Sequence, residues 1–251
     1  MEKTILEVEN NMSRKREKEK CLLMFSGGYD TLLSACLLVE DGYDVSLIAY
    51  DNGMINGSES IEENFKRLKK LYDEKVQFLG IEPIVGTWRK FLIPYMLKLK
   101  DFDKYKLLPM EYFCLTCRAS MYLHSIAECL NLEIPCLAEG ARKSQNCPEQ
   151  TEPVIERFKN FCKEFDRELL LPVFHIESKG KIKEELSLRG IIPKTKEPYC
   201  TLAMPLYDYK PSEESIEGMV KLLDEFILPE AEKLVKETAK IKRYKKKVGI
   251  V

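Results

Sequence analysis

A glycine-rich segment that carries hydroxyl and carboxylate side chains follows a short apolar run near the start of the chain. The segment reads Ser26-Gly27-Gly28-Tyr29-Asp30-Thr31, and an apolar, helix-like stretch continues to residue 39. A strand that turns through glycines into a helix directs unpaired backbone N–H groups and the positive end of the helix dipole at one point. Glycine also lets the backbone approach an anion closely. The segment therefore predicts a phosphate-binding loop with Ser26 and Thr31 at its rim; an ordinary strand-to-helix turn is the alternative.

Cysteines form the second group of side chains that could do chemistry. The chain has nine, and an odd number without a secretion signal indicates free thiols, metal ligands or catalysis rather than a disulfide framework. Cys114 and Cys117 form a CxxC at the start of a helix that we predict over residues 113–131, where the helix N-terminus favours the thiolate. Cys200 lies in a loop-like stretch. Four other cysteines fall within apolar patterns and are expected in the core: Cys21, Cys36, Cys129 and Cys136.

The residues alone leave open which metal such thiols would bind, since sulfur ligands suit zinc as readily as iron. A zinc site would need a fourth ligand, which could be Cys147, Cys162, His124 or His175. Thiols without any special chemistry are a further alternative. Near the glycine-rich segment, Asp30 could help to hold Mg²⁺, which prefers oxygen ligands, or could cap the helix that follows.

Alternating strands and helices must position these groups. We predict strands over 21–25, 44–50 and 135–138, strand pieces at 76–80 and 84–85, helices over 30–41 and 60–72, and a helix over 88–100 that Pro94 interrupts. A strand, a turn and a helix are predicted over 171–182. This alternation predicts an α/β fold with a doubly wound parallel sheet. Ligands of such sheets bind beyond the carboxyl ends of the strands, where residues 26–30 would lie.

Composition and charge bound the kind of protein. No apolar run reaches about 18 residues, so no membrane span is expected. The basic segment before residue 20 lacks an apolar signal core, so we expect a cytoplasmic protein. The net charge is −1, so nucleic-acid binding would need a local patch. Eight basic residues between Lys233 and Lys247 could bind an RNA backbone or could simply form a solvated helix face.

The glycine-rich segment resembles the SGGxD(S/T) pyrophosphate loop of the PP-loop, or N-type, ATP pyrophosphatases. It differs from a Walker A loop because no Gly-Lys-Ser/Thr follows it. The resemblance implies an enzyme that splits ATP between its α and β phosphates and adenylylates a substrate oxygen. It also implies a PP-loop domain over 21–205. The charge pattern predicts a charged leader over 1–20 before that domain and a helical basic C-terminal extension over 206–251 after it. The loop residues that would bind ATP are Ser26, Gly27, Gly28, Tyr29, Asp30 and Thr31.

The same resemblance implies further ATP-binding residues at other strand ends. Gly140, Arg142 and Lys143 follow a strand that approaches the nucleotide in these enzymes, and a cation there could neutralise the leaving pyrophosphate. Tyr50 ends the strand that seats adenine and ribose. The stretch over 171–182 is similar to one that follows the core in several PP-loop families, which would make Lys179, or Lys181 in its place, a phosphate-facing lysine.

Two thiols in a CxxC plus a distant Cys200 resemble the ligand set of the iron–sulfur-dependent tRNA thiolases of this group. In those enzymes three cysteines hold a [4Fe–4S] cluster and leave one iron open to carry sulfide. The resemblance to 7-cyano-7-deazaguanine synthase is weaker. That enzyme binds zinc through a cluster of cysteines that follows the stretch similar to 171–182, whereas this chain has only Cys200 after that stretch. The catalytic residues implied are Cys114, Cys117, Cys200, Asp30 and Lys179.

The leading hypothesis is an ATP-dependent sulfurtransferase that adenylylates and thiolates a base, with tRNA or a small nucleobase-like molecule as acceptor and a separate sulfur donor. Its cofactors would be ATP, Mg²⁺ and a [4Fe–4S] cluster, with Zn²⁺ as the alternative metal. One alternative is amide or nitrile formation on a small molecule. Another is a non-catalytic nucleotide-binding protein with a zinc-held CxxC. A homodimer is compatible with each.

Overall fold

Five short runs of apolar residues form a parallel sheet in the computed structural model, which describes residues 19–98, 100, 103–145, 147–192, 199–202 and 209–248. The strands are β1 (Lys20–Met24), β2 (Asp44–Asp51), β4 (Val76–Pro83), β5 (Cys136–Glu139) and β6 (Glu168–Leu170), in the order β4-β2-β1-β5-β6. Two further strands, β3 (Ile55–Asn56) and β7 (Tyr199–Cys200), pair as a short antiparallel ribbon.

Eight α-helices surround the sheet within the described residues. They are α1 (Tyr29–Glu40), α2 (Glu59–Tyr72), α3 (Val85–Leu97), α4 (Pro109–Leu132), α5 (Glu152–Lys163), α6 (Lys179–Leu188), α7 (Glu213–Leu222) and α8 (Leu228–Val248), and a π-helical turn at Leu223–Ile227 joins the last two. Parallel strands need crossover connections, and these helices provide them on both faces of the sheet.

Alternate residues of the strands feed two separate cores. Leu22 and Met24 of β1 point to the cluster that contains α3, α4, α5, α7 and α8. Cys21 and Leu23 point to the cluster that contains α1, α2 and α6. This alternation is what a two-residue side-chain period produces when both faces are covered. The predicted α/β doubly wound sheet is confirmed.

The four cysteines expected in the core are at most 4% exposed: Cys21, Cys36, Cys129 and Cys136. The predicted strand pieces over 76–85 are wrong in detail, because β4 runs unbroken to Pro83 and Val85 begins α3. Pro94 lies inside α3 instead of ending it. The strand predicted at 171 ends at Leu170, and turns lead from there to α6.

The helix that carries the CxxC begins at Pro109, earlier than the predicted residue 113. Proline suits the first helical position because its missing N–H would have no partner there. The Glu111 carboxylate accepts a hydrogen bond from the Leu108 N–H at 2.8 Å and satisfies one of the free donors of the first turn. Cys114 and Cys117 therefore lie inside the helix rather than at its start.

The C-terminal helices α7 and α8 pack onto the same core as α4. Ser212 caps α7, accepting a hydrogen bond from the Ser215 N–H at 3.1 Å. Ala231, Leu234 and Val235 of α8 are buried in that core. The proposed leader lies mostly, and the boundary between residues 205 and 206 entirely, outside the described residues. Among the described residues, no helix combines the length and the apolar character needed to cross a bilayer.

Candidate functional site

The glycine-rich loop joins β1 to α1 and is fixed by contacts from α2. Gly27 has φ +74°, and a Cβ there would lie 2.8 Å from the Ile61 Cα. The Asn64 side chain donates a hydrogen bond to the Gly27 carbonyl at 2.7 Å. Gly28 has an ordinary extended backbone with φ −76°, so the left-handed conformation is required at Gly27 alone of the two glycines.

Hydroxyl groups line the rim of this loop, as the sequence predicts. Ser26 Oγ and Thr31 Oγ1 lie 3.2 Å apart, and the Thr31 hydroxyl also donates to the Gly28 carbonyl at 3.1 Å. The Gly28 N–H donates to Ser26 Oγ at 3.3 Å. Asp30 does not cap α1, because the helix already begins at Tyr29 with Gly28 as its N-cap.

The strand end after β5 lies directly against the loop. A Cβ on Gly140 would lie 2.7 Å from Thr31 Cγ2 and 2.8 Å from the Thr31 nitrogen, so only glycine allows this approach. Arg142 is 5% exposed and donates from Nε to Asp30 Oδ1 at 2.9 Å. The exposed Lys143 pairs with Glu152 at 2.8 Å. Arg142 thus neutralises Asp30, whereas Lys143 points toward a different carboxylate.

Lys179 lies near the loop, at the first residue of α6. Its Nζ is 5.2 Å from the centre of the Tyr29 ring, and Lys183 Nζ is 5.4 Å from the same ring. Both ammonium groups are therefore placed beside the residue at the middle of the glycine-rich segment, in cation–π contact. Lys181, the other lysine considered, pairs instead with Glu184 at 3.0 Å.

Tyr50 lies near the carboxyl end of β2 but is 3% exposed. Its hydroxyl shares a hydrogen bond of 2.7 Å with Ser125 Oγ of α4. Burial raises the pKa of this phenol well above its ordinary value, so the hydroxyl stays protonated. Tyr50 lines one wall of a cavity near the loop.

Cys117 and Cys200, distant in sequence, meet around one amide. The Asn52 Nδ2 atom is 3.2 Å from Cys117 Sγ and 3.9 Å from Cys200 Sγ. Cys200 reaches this position because β7 pairs with β3, placing Cys200 opposite Ile55. Cys114 is close enough to Cys117 and Cys200 for their charges to act on it. The structure therefore brings the three predicted thiols into one neighbourhood.

The thiolate forms are not favoured in the way that the sequence suggested. Burial raises the pKa of Cys117 to about 11, although the Asn52 hydrogen bond opposes the shift. Burial also raises the pKa of Cys114 far above its usual range, and the Glu149 carboxylate adds to the effect. The expectation of a helix N-terminus that lowers these values is wrong, because both cysteines lie inside α4 and are partly buried.

The four candidates for a fourth ligand are dispersed. Both ring nitrogens of His124 are engaged, Nδ1 with Glu82 at 2.7 Å and Nε2 with Thr87 at 2.8 Å. Cys162 is fully buried in the core beside α4, and His175 is exposed next to Phe174. Of the four, Cys147 acts electrostatically on Cys114, and burial raises its own pKa to about 12.

Within the part of the chain that the structure describes, no three His, Cys, Asp or Glu side chains converge as ligands of a single metal ion. Zinc holds its sulfur ligands at about 2.3 Å. A four-iron cluster is wider than one ion and is ligated by cysteine sulfur. Cys117 and Cys200 share the Asn52 amide, and Cys114 lies near both of them, so these three are the thiols available to ligate such a cluster.

A cavity of about 150 Å³ is lined by residues that include Ser26 of the loop and Cys200. Its lining is mostly apolar. Its lining residues are Phe25, Ser26, Ile48, Ala49, Tyr50, Ile55, Ile61, Met121, Tyr199 and Cys200. A group bound there would contact Ser26 of the loop and Cys200 together.

Sequence reasoning missed several residues that build this site. Asn52 and Asn64 make the contacts described above. Asn52 precedes Gly53 and therefore reads as a turn signal, whereas Asn64 lies in a charged helix without a local signal. A buried network was also missed: Glu139 accepts hydrogen bonds from Arg118 and from the Tyr122 hydroxyl, both at 2.6 Å. Because Arg118 follows Cys117 and Glu139 precedes Gly140, this network joins the thiols to the loop.

Comparison with known proteins agrees with this architecture. No family model matches the chain. An uncharacterized protein of Methanocaldococcus jannaschii is 26% identical over 231 residues, covering 84% of this chain and 78% of that protein.

Two solved structures are similar at lower identity. A 4-thiouridine synthetase, in complex with RNA and with bound ATP, aligns with a TM-score of 0.62 and 16% identity over 88% of this chain. The chain spans 53% of that synthetase. The U34-tRNA thiolase NcsA of Methanococcus maripaludis, with its [4Fe–4S] cluster, aligns with a TM-score of 0.47 and 12% identity, covering 96% of this chain and 79% of the thiolase. Together with the sheet order and the loop between β1 and α1, the match to the synthetase establishes that the chain has the PP-loop ATP pyrophosphatase fold.

Proposed function

We propose that this protein is an ATP-dependent PP-loop enzyme that adenylylates a carbonyl oxygen of a nucleobase and then replaces that oxygen with sulfur. The observation that carries the proposal is the cavity that both Ser26 of the glycine-rich loop and Cys200 line. Phosphate chemistry and sulfur chemistry can therefore act on one bound group. Neither a nucleotide carrier nor a structural thiol site requires that arrangement.

In the first step the loop binds the ATP phosphates. The backbone around Gly27 and Gly28, the hydroxyls of Ser26 and Thr31, and the α1 N-terminus supply donors and positive potential. Lys179 adds positive charge where pyrophosphate leaves. The substrate oxygen attacks the α-phosphorus, an O–P bond forms, and the bond between the α-phosphorus and the bridging oxygen to the β-phosphate breaks. Asp30 is the candidate protein ligand for Mg²⁺, in competition with its ion pair to Arg142.

In the second step sulfur at the sulfide oxidation level attacks the activated carbon. A carbon–sulfur bond forms, the carbon–oxygen bond breaks, and AMP leaves with its electron pair. No oxidant or reductant is consumed when the donor supplies hydrosulfide. Cys114, Cys117 and Cys200 would hold a [4Fe–4S] cluster, whose chemistry when bound is to present that sulfide. The apolar cavity wall excludes water, which would otherwise hydrolyse the adenylate.

tRNA is the proposed acceptor. The synthetase of similar fold is named as an RNA complex with bound ATP. In this chain, Lys240, Arg243, Lys245 and Lys247 of α8 are exposed, and exposed basic side chains bind phosphate backbones by releasing counterions. Lys233 and Lys236 contribute less, because they pair with Glu230 and Glu232 of the same helix.

The test starts from anaerobic purification and analysis of iron, sulfide and zinc. The purified chain is then given ATP, Mg²⁺, hydrosulfide and bulk tRNA, while pyrophosphate release and thiolated nucleosides are measured. We expect about four irons and sulfides per chain, pyrophosphate release that depends on tRNA, and a thiolated base. Cys114→Ala and Cys200→Ala should lose the iron, whereas Cys147→Ala, the matched control, should retain it.

Asp30→Asn separates the two halves of the proposal. It should lose pyrophosphate release and keep the iron, because it changes the phosphate loop and leaves the thiols intact. If pyrophosphate release depended on a small nucleobase and not on tRNA, the acceptor would be the nucleobase. Bound zinc and no pyrophosphate release with any acceptor would overturn the enzymatic proposal.

A further inference from the structure

Asn52 is a buried polar residue at the centre of the thiol neighbourhood. Asn52 is 6% exposed and directly follows β2. Its Oδ1 accepts a hydrogen bond from the Met54 N–H at 2.9 Å. A backbone N–H can only donate, so the amide oxygen must face Met54 and the NH₂ group must face the sulfurs. The orientation of the amide is therefore fixed by an independent contact.

The turn at Met54 explains only half of this side chain. An asparagine that stabilises a turn needs its oxygen alone, and its NH₂ group commonly faces water. Here the NH₂ group is withdrawn from water and lies 3.2 Å from Cys117 Sγ and 3.9 Å from Cys200 Sγ. A neutral thiol is a weak acceptor, so such burial of two N–H donors is stabilised best when the sulfur carries negative charge.

The position of Asn52 also joins the two elements that supply the cysteines. Cys117 belongs to α4, whereas Cys200 belongs to the β3–β7 ribbon. The Thr201 N–H donates to the Met54 carbonyl at 3.0 Å. The asparagine thus contacts the helix through its nitrogen and is tied through Met54 to the ribbon that carries Cys200.

We propose that Asn52 is the positioning residue of the sulfur site: its amide holds Cys117 and Cys200 side by side and donates N–H hydrogen bonds to their sulfurs when these ligate a cluster. The proposal rests on the proposed function for the cluster but adds a residue that the loop and the thiols do not identify. The N–H groups offset the negative charge of the sulfur ligands, which raises the reduction potential of an iron–sulfur cluster.

Two variants isolate the donor from the turn. Asn52→Ser and Asn52→Asp both keep an oxygen that can accept from Met54, and both lose the N–H groups. Asn56→Asp is the matched control, because Asn56 is an exposed asparagine of the same ribbon. Iron retention against a chelator and the cluster reduction potential are measured on the anaerobically purified full chain.

We expect iron affinity to fall about 10- to 100-fold in both Asn52 variants. The potential should move to lower values, further in Asn52→Asp because the carboxylate adds negative charge. Asn56→Asp should match the wild type. Unchanged iron affinity and potential in Asn52→Ser would overturn the proposal.

A second measurement does not depend on the cluster. Metal-stripped chain is treated with dibromobimane, which becomes fluorescent when it bridges two neighbouring thiols, and the bridged peptides are identified by mass spectrometry. We expect a Cys117–Cys200 bridge in the wild type and at least tenfold less in Asn52→Ser. Bridging that depends on Asn52 in a chain that binds no iron would refute the cluster and uphold the positioning role; equal bridging in both would refute the positioning role itself.

Discussion

Gly27 is the residue at which the backbone of the phosphate loop tolerates no side chain. Its φ of +74° lies in the left-handed region, and a Cβ would approach the Ile61 Cα to 2.8 Å. The contacting atom belongs to the backbone of α2, so it cannot swing away as the end of a flexible side chain could. Two independent penalties therefore act at this residue, one conformational and one steric.

Gly27→Ala should lower the free energy of unfolding by about 2–4 kcal/mol, since the left-handed strain contributes about 1 kcal/mol and overpacking about 1–3 kcal/mol. The loop should also lose ATP binding, because the backbone must shift to admit the methyl group. Urea denaturation and nucleotide titration measure the two effects.

The control for this change is Gly86→Ala, in the first turn of α3. A Cβ at Gly86 meets no atom within 4 Å, and its φ is not positive. Alanine should leave stability unchanged or raise it by up to about 1 kcal/mol. Equal stability of the Gly27 and Gly86 variants would contradict the account of the loop.

For single residues, the sequence predicted those whose signals lie close together in the chain. The loop could be predicted because glycines, hydroxyls and a following apolar helix lie within a few positions of one another. Asn52 could not, because the sulfurs it contacts are 65 and 148 positions away. Nothing in the neighbourhood of an asparagine in sequence indicates that a distant cysteine will lie beside its amide.

At the scale of elements, Lys242 joins three of them. Its Nζ donates to Glu82 of β4 at 2.7 Å and to Glu128 of α4 at 2.6 Å. The side chain is 18% exposed, whereas those of Lys233 and Lys236 in the same helix are 72% and 61% exposed. The Glu82 carboxylate also accepts a hydrogen bond from His124 Nδ1 of α4 at 2.7 Å. The C-terminal helix is thereby fixed to the helix that carries the CxxC.

Lys242→Met should lower the free energy of unfolding by about 1–3 kcal/mol, because two partly buried carboxylates lose a charged partner. Lys236→Met is the control: Lys236 makes a comparable contact with Glu232, but both side chains are exposed, so its loss should cost at most about 0.5 kcal/mol. Thermal and urea denaturation at pH 7 compare the two variants.

The same contact predicts the acid dependence of stability. Burial alone would raise the pKa of Glu82, but hydrogen bonds from His124 and Lys242 lower it below its usual value. A carboxyl with a lowered folded pKa stabilises the protein above its unfolded pKa of about 4.3, and the contribution is lost as pH falls through the folded value. The stability difference between wild type and Lys242→Met should therefore shrink below about pH 4; a constant difference from pH 7 to pH 3 would contradict it.

The start of α4 shows what element prediction requires. Pro109 and Glu111 are a recognisable start signal, but residues 109–112 lack a clear helical period, and the prediction began at residue 113. The error moved the CxxC to the helix terminus and led to the wrong expectation for the thiol pKa. That pKa depends mainly on burial, and the burial of a single cysteine cannot be read from the sequence.

At the scale of the whole molecule, the C-terminal helices belong to the packed core. Ile227, Ala231 and Val235 are fully buried in the cluster that includes Tyr112, Tyr122 and Phe158. Removing them would expose that cluster to water. The helical character of this region follows from the sequence, but its burial against α4 depends on contacts from more than one hundred residues earlier, as the spacing of Lys242 and Glu128 illustrates.

A chain that ends at residue 227 should not unfold cooperatively. It should bind a hydrophobic dye at pH 7 and lose near-UV circular dichroism, because the core loses a whole layer. Ile241→Ser is the control, since Ile241 is 56% exposed and its change should stay within about 0.5 kcal/mol of the wild type. A truncated chain with a sharp thermal transition would show that the extension folds apart from the core.

The pairing of β3 with β7 determines when this site forms during synthesis of the chain. Strand β1 pairs on one side with β2 and on the other with β5, so the phosphate loop acquires its neighbour Gly140 only after more than half the chain has been synthesised. Cys200 joins Asn52 later still, once β7 has left the ribosome and found β3. A nascent chain therefore displays the glycine-rich loop and the CxxC well before the third thiol arrives. Contacts of such long sequence separation form slowly, so the contact between Cys200 and Asn52 forms late in the growing chain.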